Sequence, residues 1–403
     1  MTDSQNNSVL PVARRTEIDD RAAVGIDFAE SYDAGLIESI LRRRFDALGF
    51  DPRSQAGRRV VVKPNLLIRY APEKAATTHP AVIEAVCRIF VSAGADVMIA
   101  ESNGGGYSEG ILRPLYRICG MEAAAEDSGA VLNFDTSFRT VAYAEGVASK
   151  SFDILEPLCT ADMIIDCCKL KTHALAGMTA GVKNMFGAVP GVKKFETHAR
   201  YNHDLRMFFS FITDLCRLLY EAKDFLCITD GIEGMEGNGP SAGTPRKVNA
   251  ILTSFSPFQS DVAAAALIGH EGQVPINELS CERGYSVQTG SELVISGDSI
   301  EKLKVPDFRP ASPNPLAPLR NIPEVLRSRP KIDHSLCRSC GECVSYCPVK
   351  AIKLEEKRGK NVASIDTKKC IRCFCCQELC TFKAISVSGL PIFDTVNRLG
   401  FGI

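Results

Sequence analysis

The chain has 403 residues, 45% apolar and 24% charged, a composition that excludes a disordered or fibrous protein and is longer than one hydrophobic core ordinarily serves. Its 47 basic and 48 acidic residues leave a formal net charge of −1, so no global field is available to hold nucleic acid or an anionic membrane surface. No run reaches the roughly 20 apolar residues of a membrane span, and the first twenty residues lack the apolar stretch of a secretory signal, so the expected location is the cytoplasm.

Residues 1–22 read as a disordered extension. From 23 to 305 short apolar runs alternate with amphipathic helical patterns, which predicts an α/β domain: a mostly parallel sheet with helices on both faces. RRVVVKPNLLI is the first clear strand, HPAVIEAVCRIFVSAG a helix ending at Gly94, and ADVMIAES the next strand. GILRPLYRICGMEAAAEDSG then reads as helix, AVLNFD as extended chain, ADMIIDCCKL as a buried strand, and FFSFITDLCRLLYEAKD as a helix leading into the strand FLCITDG.

In open α/β sheets the ligand crevice lies beyond the carboxyl ends of the strands. Those ends carry Lys63 and Asn65; Glu101, Ser102, Gly104 and Gly105; Lys169, Lys171, Thr172 and His173; and Asp230. Cations beside glycine-opened amides make a natural anion site, so these residues are candidates for holding a phosphate or carboxylate. The plain alternative is that strand-end loops are polar in any protein. Thr78 precedes a helix and reads as a capping hydroxyl or a ligand contact, while His79 has no evident structural reason to stand there. The stretch ESNGGG matches neither a phosphate-binding P-loop nor a dinucleotide fingerprint.

Residues 169–203 hold five lysines, among them Lys183 and Lys194, and three histidines, His173, His198 and His203, interleaved with glycine and threonine. This reads as a long loop over the strand ends that holds substrate and excludes water. Lys183 and Asn184 join the candidate binding residues, and Lys171, His173 and His79 are the candidates for chemistry, the imidazoles as proton carriers. The glycine-rich run 230–247 reads as a further strand-end loop in which Glu236 and Arg246 could contact the same ligand. Asp261 reads as a cap or first-turn acid of the helix DVAAAALIG.

A proline-rich linker follows over 306–330, then the densest chemistry of the chain over 331–390, and a tail at 391–403. CRSCGECVSYCP and CIRCFCCQELC both read C-x2-C-x2-C-x3-C, and the flanks IDHSLC and IDTKKC repeat as well. In such runs the first three thiolates hold one 4Fe-4S cluster and the fourth reaches the other. Cys337, Cys340, Cys343 and Cys380 therefore form one expected ligand set, and Cys370, Cys373, Cys376 and Cys347 the second. Paired zinc ribbons are the alternative, disfavoured because the array gives two interlocked sets of three plus one. Cys375 falls outside the spacing, and Thr381 stands where the first run has a proline. The segment resembles the bacterial-type two-cluster ferredoxin domain, which implies one-electron transfer.

The motifs KPNLL, ATTHPAVIEAV, ESNGGG, KLKTH, TAGVKNMFGAVPG and DGIEGMEGNGPSAGTPRK together resemble the domain of unknown function 362 family, whose members often carry such a ferredoxin module. The resemblance implies an α/β domain with a lysine- and glycine-rich site and iron–sulfur binding, and supplies no substrate. The expected function is an oxidoreductase passing electrons between the clusters and an anionic small molecule, with an external electron donor or acceptor protein. The rival is an electron carrier, redox sensor or iron–sulfur assembly protein with no turnover of its own.

Overall fold

The computed structural model describes residue 10 and residues 23–201, 204–311, 328–357 and 359–388. Of the expected extension only Leu10 is described, and it is buried in the core of the α/β domain; most of the linker, the tail and His203 lie outside the described residues. The strands of the first domain are β1 (Val24–Phe28), β2 (Arg59–Pro64), β3 (Asp96–Ile99), β4 (Val131–Leu132), β5 (Phe138–Ala142), β6 (Ser151–Leu155), β7 (Met163–His173), β8 (Gly177–Thr179), β9 (Asp224–Glu236), β10 (Thr244–Ser254) and β11 (Ile295–Gly297). Its helices are α1 (Ala34–Ala47), α2 (Pro80–Ser92), α3 (Glu109–Ile118), α4 (Met121–Ser128), α5 (Glu156–Thr160), α6 (Gly181–Asn184), α7 (Lys193–Arg200), α8 (Leu205–Ala222), α9 (Pro257–Leu267), α10 (Pro275–Glu282) and α11 (Ile300–Leu303).

The large sheet runs β11-β1-β10-β9-β7-β2-β3-β4, with β8 paired to β7 and β5–β6 a separate hairpin. Strands β9, β7, β2, β3 and β4 are mutually parallel, whereas β10 is antiparallel to both β9 and β1. Every residue of β7 is buried, because its two faces pack different cores. Ile164, Cys168 and Leu170 face the core shared with α5, α8, α9 and α10, while Met163, Ile165 and Cys167 face that of α1 to α4. From β2 the chain winds outward through β3 to β4, then returns to β7 on the opposite side of β2. The reversal between β2 and β7 is where an open parallel sheet leaves a crevice at its carboxyl edge.

Five local expectations are corrected. Residues 169–203 are not one loop: β7 continues to His173, β8 hairpins back on it, and α6 and α7 follow. Residues 230–247 are largely the β9–β10 hairpin, and the helical stretch 110–129 is two helices broken at Gly120 (φ 78°). His79 does have a structural reason for its place, since its ring nitrogen Nδ1 accepts from Ala81 N at 3.2 Å and caps α2. Asp261 lies inside α9, and its carboxylate accepts from Gly181 N at 2.6 Å and Val182 N at 3.2 Å, anchoring the start of α6 instead of its own helix.

The cysteine-rich module contains β12 (Arg329–Ile332), α12 (Glu342–Ser345), β13 (Ile352–Lys357), β14 (Lys360–Ile365), α13 (Cys375–Glu378) and β15 (Ile385–Ser388). β12 pairs with β15 and β13 with β14, both antiparallel. The duplication read from the cysteines is repeated in the backbone: Ser339 and Arg372, Gly341 and Phe374, and Lys350 and Lys383 occupy matching positions, and all six have positive φ.

Candidate functional site

The module is fastened to the carboxyl edge of the sheet. Gln377 is fully buried there, its Nε2 donating to Asn238 O at 3.1 Å, while Tyr70 OH donates to Thr381 O at 3.1 Å. Phe195 stacks on Tyr346 with ring centroids 5.2 Å apart, and packs with Cys375 and Leu379. His173 Nε2 lies 3.0 Å from Glu378 Oε1. Leu175 N and Ala176 N both donate to His173 Nδ1, which places the proton of the neutral ring on Nε2, toward that carboxylate. Burial pushes the His173 imidazole down to about 4, so it is neutral near pH 7.

Between the two parts lies a cleft of about 610 Å³, including the space open to solvent. One wall comes from the residues after β2, β3 and β8: Asn65, Glu101, Ser102, Gly104, Lys183 and Asn184, all candidates from the sequence. The facing wall carries Cys375, Glu378 and Leu379 from the cysteine-rich module. Leu66, Leu67, Thr179, Phe186, Gly187, Lys194, Phe195 and His198 complete the lining.

Apart from Lys183, the polar groups in the first wall are positioned by hydrogen bonds or ion pairs. Lys63 Nζ lies 2.7 Å from Glu101 Oε2, both buried. Asn184 Nδ2 donates to Asp166 Oδ1 at 2.6 Å, and Asn65 Nδ2 donates to Asn184 Oδ1 at 3.0 Å. Lys171 stands behind Asn65, donating to its Oδ1 at 2.9 Å and to Ala76 O at 2.6 Å. Lys194 donates to Ser102 O, to Ser102 Oγ at 2.9 Å and to Asn103 O at 2.8 Å. Burial pushes the ammonium groups of Lys171 and Lys194 down to about 7, and it pushes Lys183 down as well. Among the described residues Lys183 Nζ has no hydrogen bond or ion pair within 4 Å, although Glu378 acts on it through space. The cleft thus holds more cationic groups than carboxylates to meet them: Glu101 is taken by Lys63, and only Glu378 faces Lys183.

Gly187 lets the Lys63–Glu101 pair approach the cleft, since a Cβ there would lie 2.2 Å from Glu101 Oε1 and 2.5 Å from Lys63 Nζ. Gly187→Ala is therefore expected to destabilise the protein by about 1–3 kcal/mol by displacing a buried ion pair, read as a fall in unfolding midpoint. An unchanged midpoint would mean the pair is free to shift.

Other sequence candidates lie off the cleft. Lys169 Nζ donates to Asp230 Oδ2 at 2.8 Å and to Tyr32 OH at 2.7 Å, Tyr32 OH donates to Asp230 Oδ1, and the Tyr32 ring stacks on His79 at 3.7 Å. These four form a closed cluster of their own. Thr78 Oγ1 donates to Cys167 O at 2.7 Å and Thr172 Oγ1 to Gly237 O at 2.9 Å. Glu236 Oε1 accepts from Arg309 Nε at 2.8 Å, Arg246 pairs with Asp307 on the surface, and Gly105 packs near Tyr346. Conversely, sequence reasoning did not place Thr179, Cys375 or Glu378 at a binding site, and reached Lys194 and His198 only as members of the lysine- and histidine-rich run. Lys194 and His198 carry one usable signal, the i, i+4 spacing that puts both on one face of α7; Glu378 carries none.

The cysteines fall into two sets around separate cavities. Cys337, Cys340, Cys343 and Cys380 border one, and Cys370, Cys373, Cys376 and Cys347 the other. Their chemistry suits iron: four thiols per cavity and apolar walls, with Ala351 N donating to Cys347 Sγ and Ala384 N to Cys380 Sγ, both at 3.2 Å. Helix α13 separates the second cavity from the cleft, with Phe374 and Cys376 on one side and Cys375 and Glu378 on the other.

No helix among the described residues is long and apolar enough to cross a membrane. Residues 336–384 match the 4Fe-4S dicluster domain, and the chain binds iron–sulfur through that segment. Over 55 residues, 14% of the chain, it is 44% identical to a ferredoxin of Pyrobaculum islandicum and matches about half (49%) of that protein. Over 317 residues, 74% of the chain, it is 28% identical to a thylakoid-associated protein of Synechocystis sp., of which it covers 91%. The lactate racemase apoprotein of Thermoanaerobacterium thermosaccharolyticum aligns with 63% of this chain and 59% of its own, at a TM-score of 0.40 and 12% identity. Residues 60–266, just over half of the chain, match the family described as Domain of unknown function (DUF362), and with a strand-end cleft closed by an iron–sulfur module the chain belongs to that family.

Proposed function

We propose that this chain is a cytoplasmic iron–sulfur oxidoreductase in which two 4Fe-4S clusters exchange electrons with an anionic small molecule held in the cleft. The observation that carries the reading is the position of Lys183, a half-buried ammonium with no hydrogen-bonding partner among the described residues, across the cleft from the helix that supplies Cys376. Burying an uncompensated cation is costly, and a bound anion removes the cost. The clusters supply one-electron transfer when bound. Lys183 and Asn184 hold the anion, Lys171 and Lys194 add charge from behind the first wall, and Phe186, Phe195 and Leu379 exclude water. The imidazole bordering the cleft is His198, stacked on Phe208 at 4.3 Å and pushed by burial down to about 4, a neutral ring able to hold or release a proton.

Anaerobic reduction followed by addition of small-molecule anions tests the reading, with the visible iron–sulfur absorption as signal. Reoxidation by one anion, lost in Lys183→Met at unchanged iron content, is the expected result. Reoxidation that no anion produces in either protein would leave a carrier in place of an enzyme.

The crossed ligand sets are tested separately. Cys380→Ser and Cys347→Ser are each expected to halve the iron, from about eight to about four atoms per chain, and to remove different electron paramagnetic resonance signals. Loss of the same signal in both variants would overturn the partition.

A further inference from the structure

Of the eight cysteines in the two cavities, Cys340 alone is exposed. Leu354 and Phe382 border its cavity at 42% and 45% exposure, and Leu336, beside Cys337 in the chain, is 44% exposed. Two exposed apolar side chains thus border one cavity, and a third is next in the chain to one of its cysteines. The duplication provides an internal comparison. The positions matching Arg338 and Phe382 in the other half are Ile371 and Val349, which border the second cavity and are only partly exposed. Helix α13 lies between that second cavity and the cleft, and at the matching positions the rim of the second cavity is the more covered and that of the first the more open. Arg338 borders the cavity and Lys383 follows Phe382, both exposed, while Asp333, Glu342 and Glu356 are the exposed carboxylates of the same end, so the positive balance is that of the module as a whole. Basic side chains outnumber acidic ones across residues 328–388, against a nearly neutral chain.

We propose that this open end is the docking face for a small acidic one-electron carrier protein, seated on Leu336, Leu354 and Phe382 with its carboxylates against Arg338 and Lys383. This rests on the reading of Cys337, Cys340, Cys343 and Cys380 as ligands of one cluster. The carrier gives up one electron and the cluster gains one; no bond forms or breaks. Electron tunnelling falls steeply with distance, which favours contact at the one exposed ligand, and opposite charges on the two rims steer the encounter. The second cavity lies on the far side, next to the cleft, so the electron would cross the module on its way to the bound anion.

Stopped-flow reduction of the full-length, iron-loaded protein by a photoreduced acidic flavodoxin tests this, beside reduction by dithionite, which needs no docking face. The expected second-order rate with flavodoxin falls as salt is added. Leu354→Glu and Phe382→Glu are expected to lower it about tenfold or more, and Arg338→Gln to lower it severalfold and flatten the salt dependence, with dithionite rates unchanged in all three. Val294→Glu, at an exposed apolar side chain of the α/β domain away from both cavities, is expected to leave both rates unchanged. Equal flavodoxin rates in the Leu354, Phe382 and Arg338 variants and the parent would overturn the proposal. So would a loss shared by dithionite, because those side chains would then serve the cluster and not a partner. If dithionite fails to bleach the parent protein, the cluster reading itself has failed, and the docking face with it.

Discussion

Lys183→Met is expected to have two effects of opposite sign: a more stable ligand-free protein and a nearly complete loss of anion affinity. Removing a half-buried ammonium that has no ion pair within 4 Å relieves part of its desolvation cost, and the methionine side chain retains most of the apolar packing, so unfolding free energy should rise by up to about 1 kcal/mol. In the complex the same ammonium is the direct counter-charge, and truncating one partner of a buried charge pair costs about 2–5 kcal/mol, a loss of affinity of roughly 30-fold to several thousand-fold. Thermal unfolding and titration calorimetry read the two effects independently, with iron content as the control for the module. A variant that is less stable and binds anions as well as the parent would make Lys183 a structural side chain and remove the basis for an anion in the cleft.

The second large effect is on pH. Lys171 and Lys194 are held at about 7 by burial, below the ordinary lysine value of roughly 10.4 that they recover on unfolding. Below about pH 7 both states carry the protons and the burial cost is fully felt. Between about 7 and about 10.4 the unfolded chain holds protons that the folded one has released, so stability rises with pH across that window and levels off above it. Anion binding runs the other way, because it needs the charged forms: affinity should fall by up to about tenfold per pH unit for each of the two lysines above about pH 7, with proton uptake on binding in that same range and none well below it. Midpoints and dissociation constants measured between about pH 6 and about pH 9 check both slopes. Affinity that is flat over that range would place the anion away from these ammonium groups.

The sequence made the ferredoxin module legible, because the same thiol spacing occurs twice, and the two sets of four read from that spacing border separate cavities. The parallel sheet was legible for a similar reason, since β2, β3, β7 and β9 are apolar runs bounded by polar strand ends. What escaped was pairing across the chain. Lys169 and Lys183 look alike in sequence, yet one is closed into a cluster with Tyr32 and Asp230 and the other faces an open cleft; partners far away in the chain decide which. His79 looked functional because its use of Nδ1 as a helix cap depends on a ring orientation that composition does not encode. Glu378 was invisible as a cleft residue, since nothing in a ferredoxin run announces which face of its short helix will meet another domain.

The walls of the cleft are separated by almost two hundred residues, with Lys183 on one side and Glu378 and Leu379 on the other. The second wall belongs to a segment whose folding is expected to depend on metal, as it does for small metal-bound domains generally. A cell short of iron would then make a chain with its sheet and lysines in place but with the second wall missing, leaving the lysine-lined crevice open to water. Iron supply would in this way act on ligand binding before any electron moves, and a chain repaired by cluster insertion would regain affinity and redox capacity in a single event.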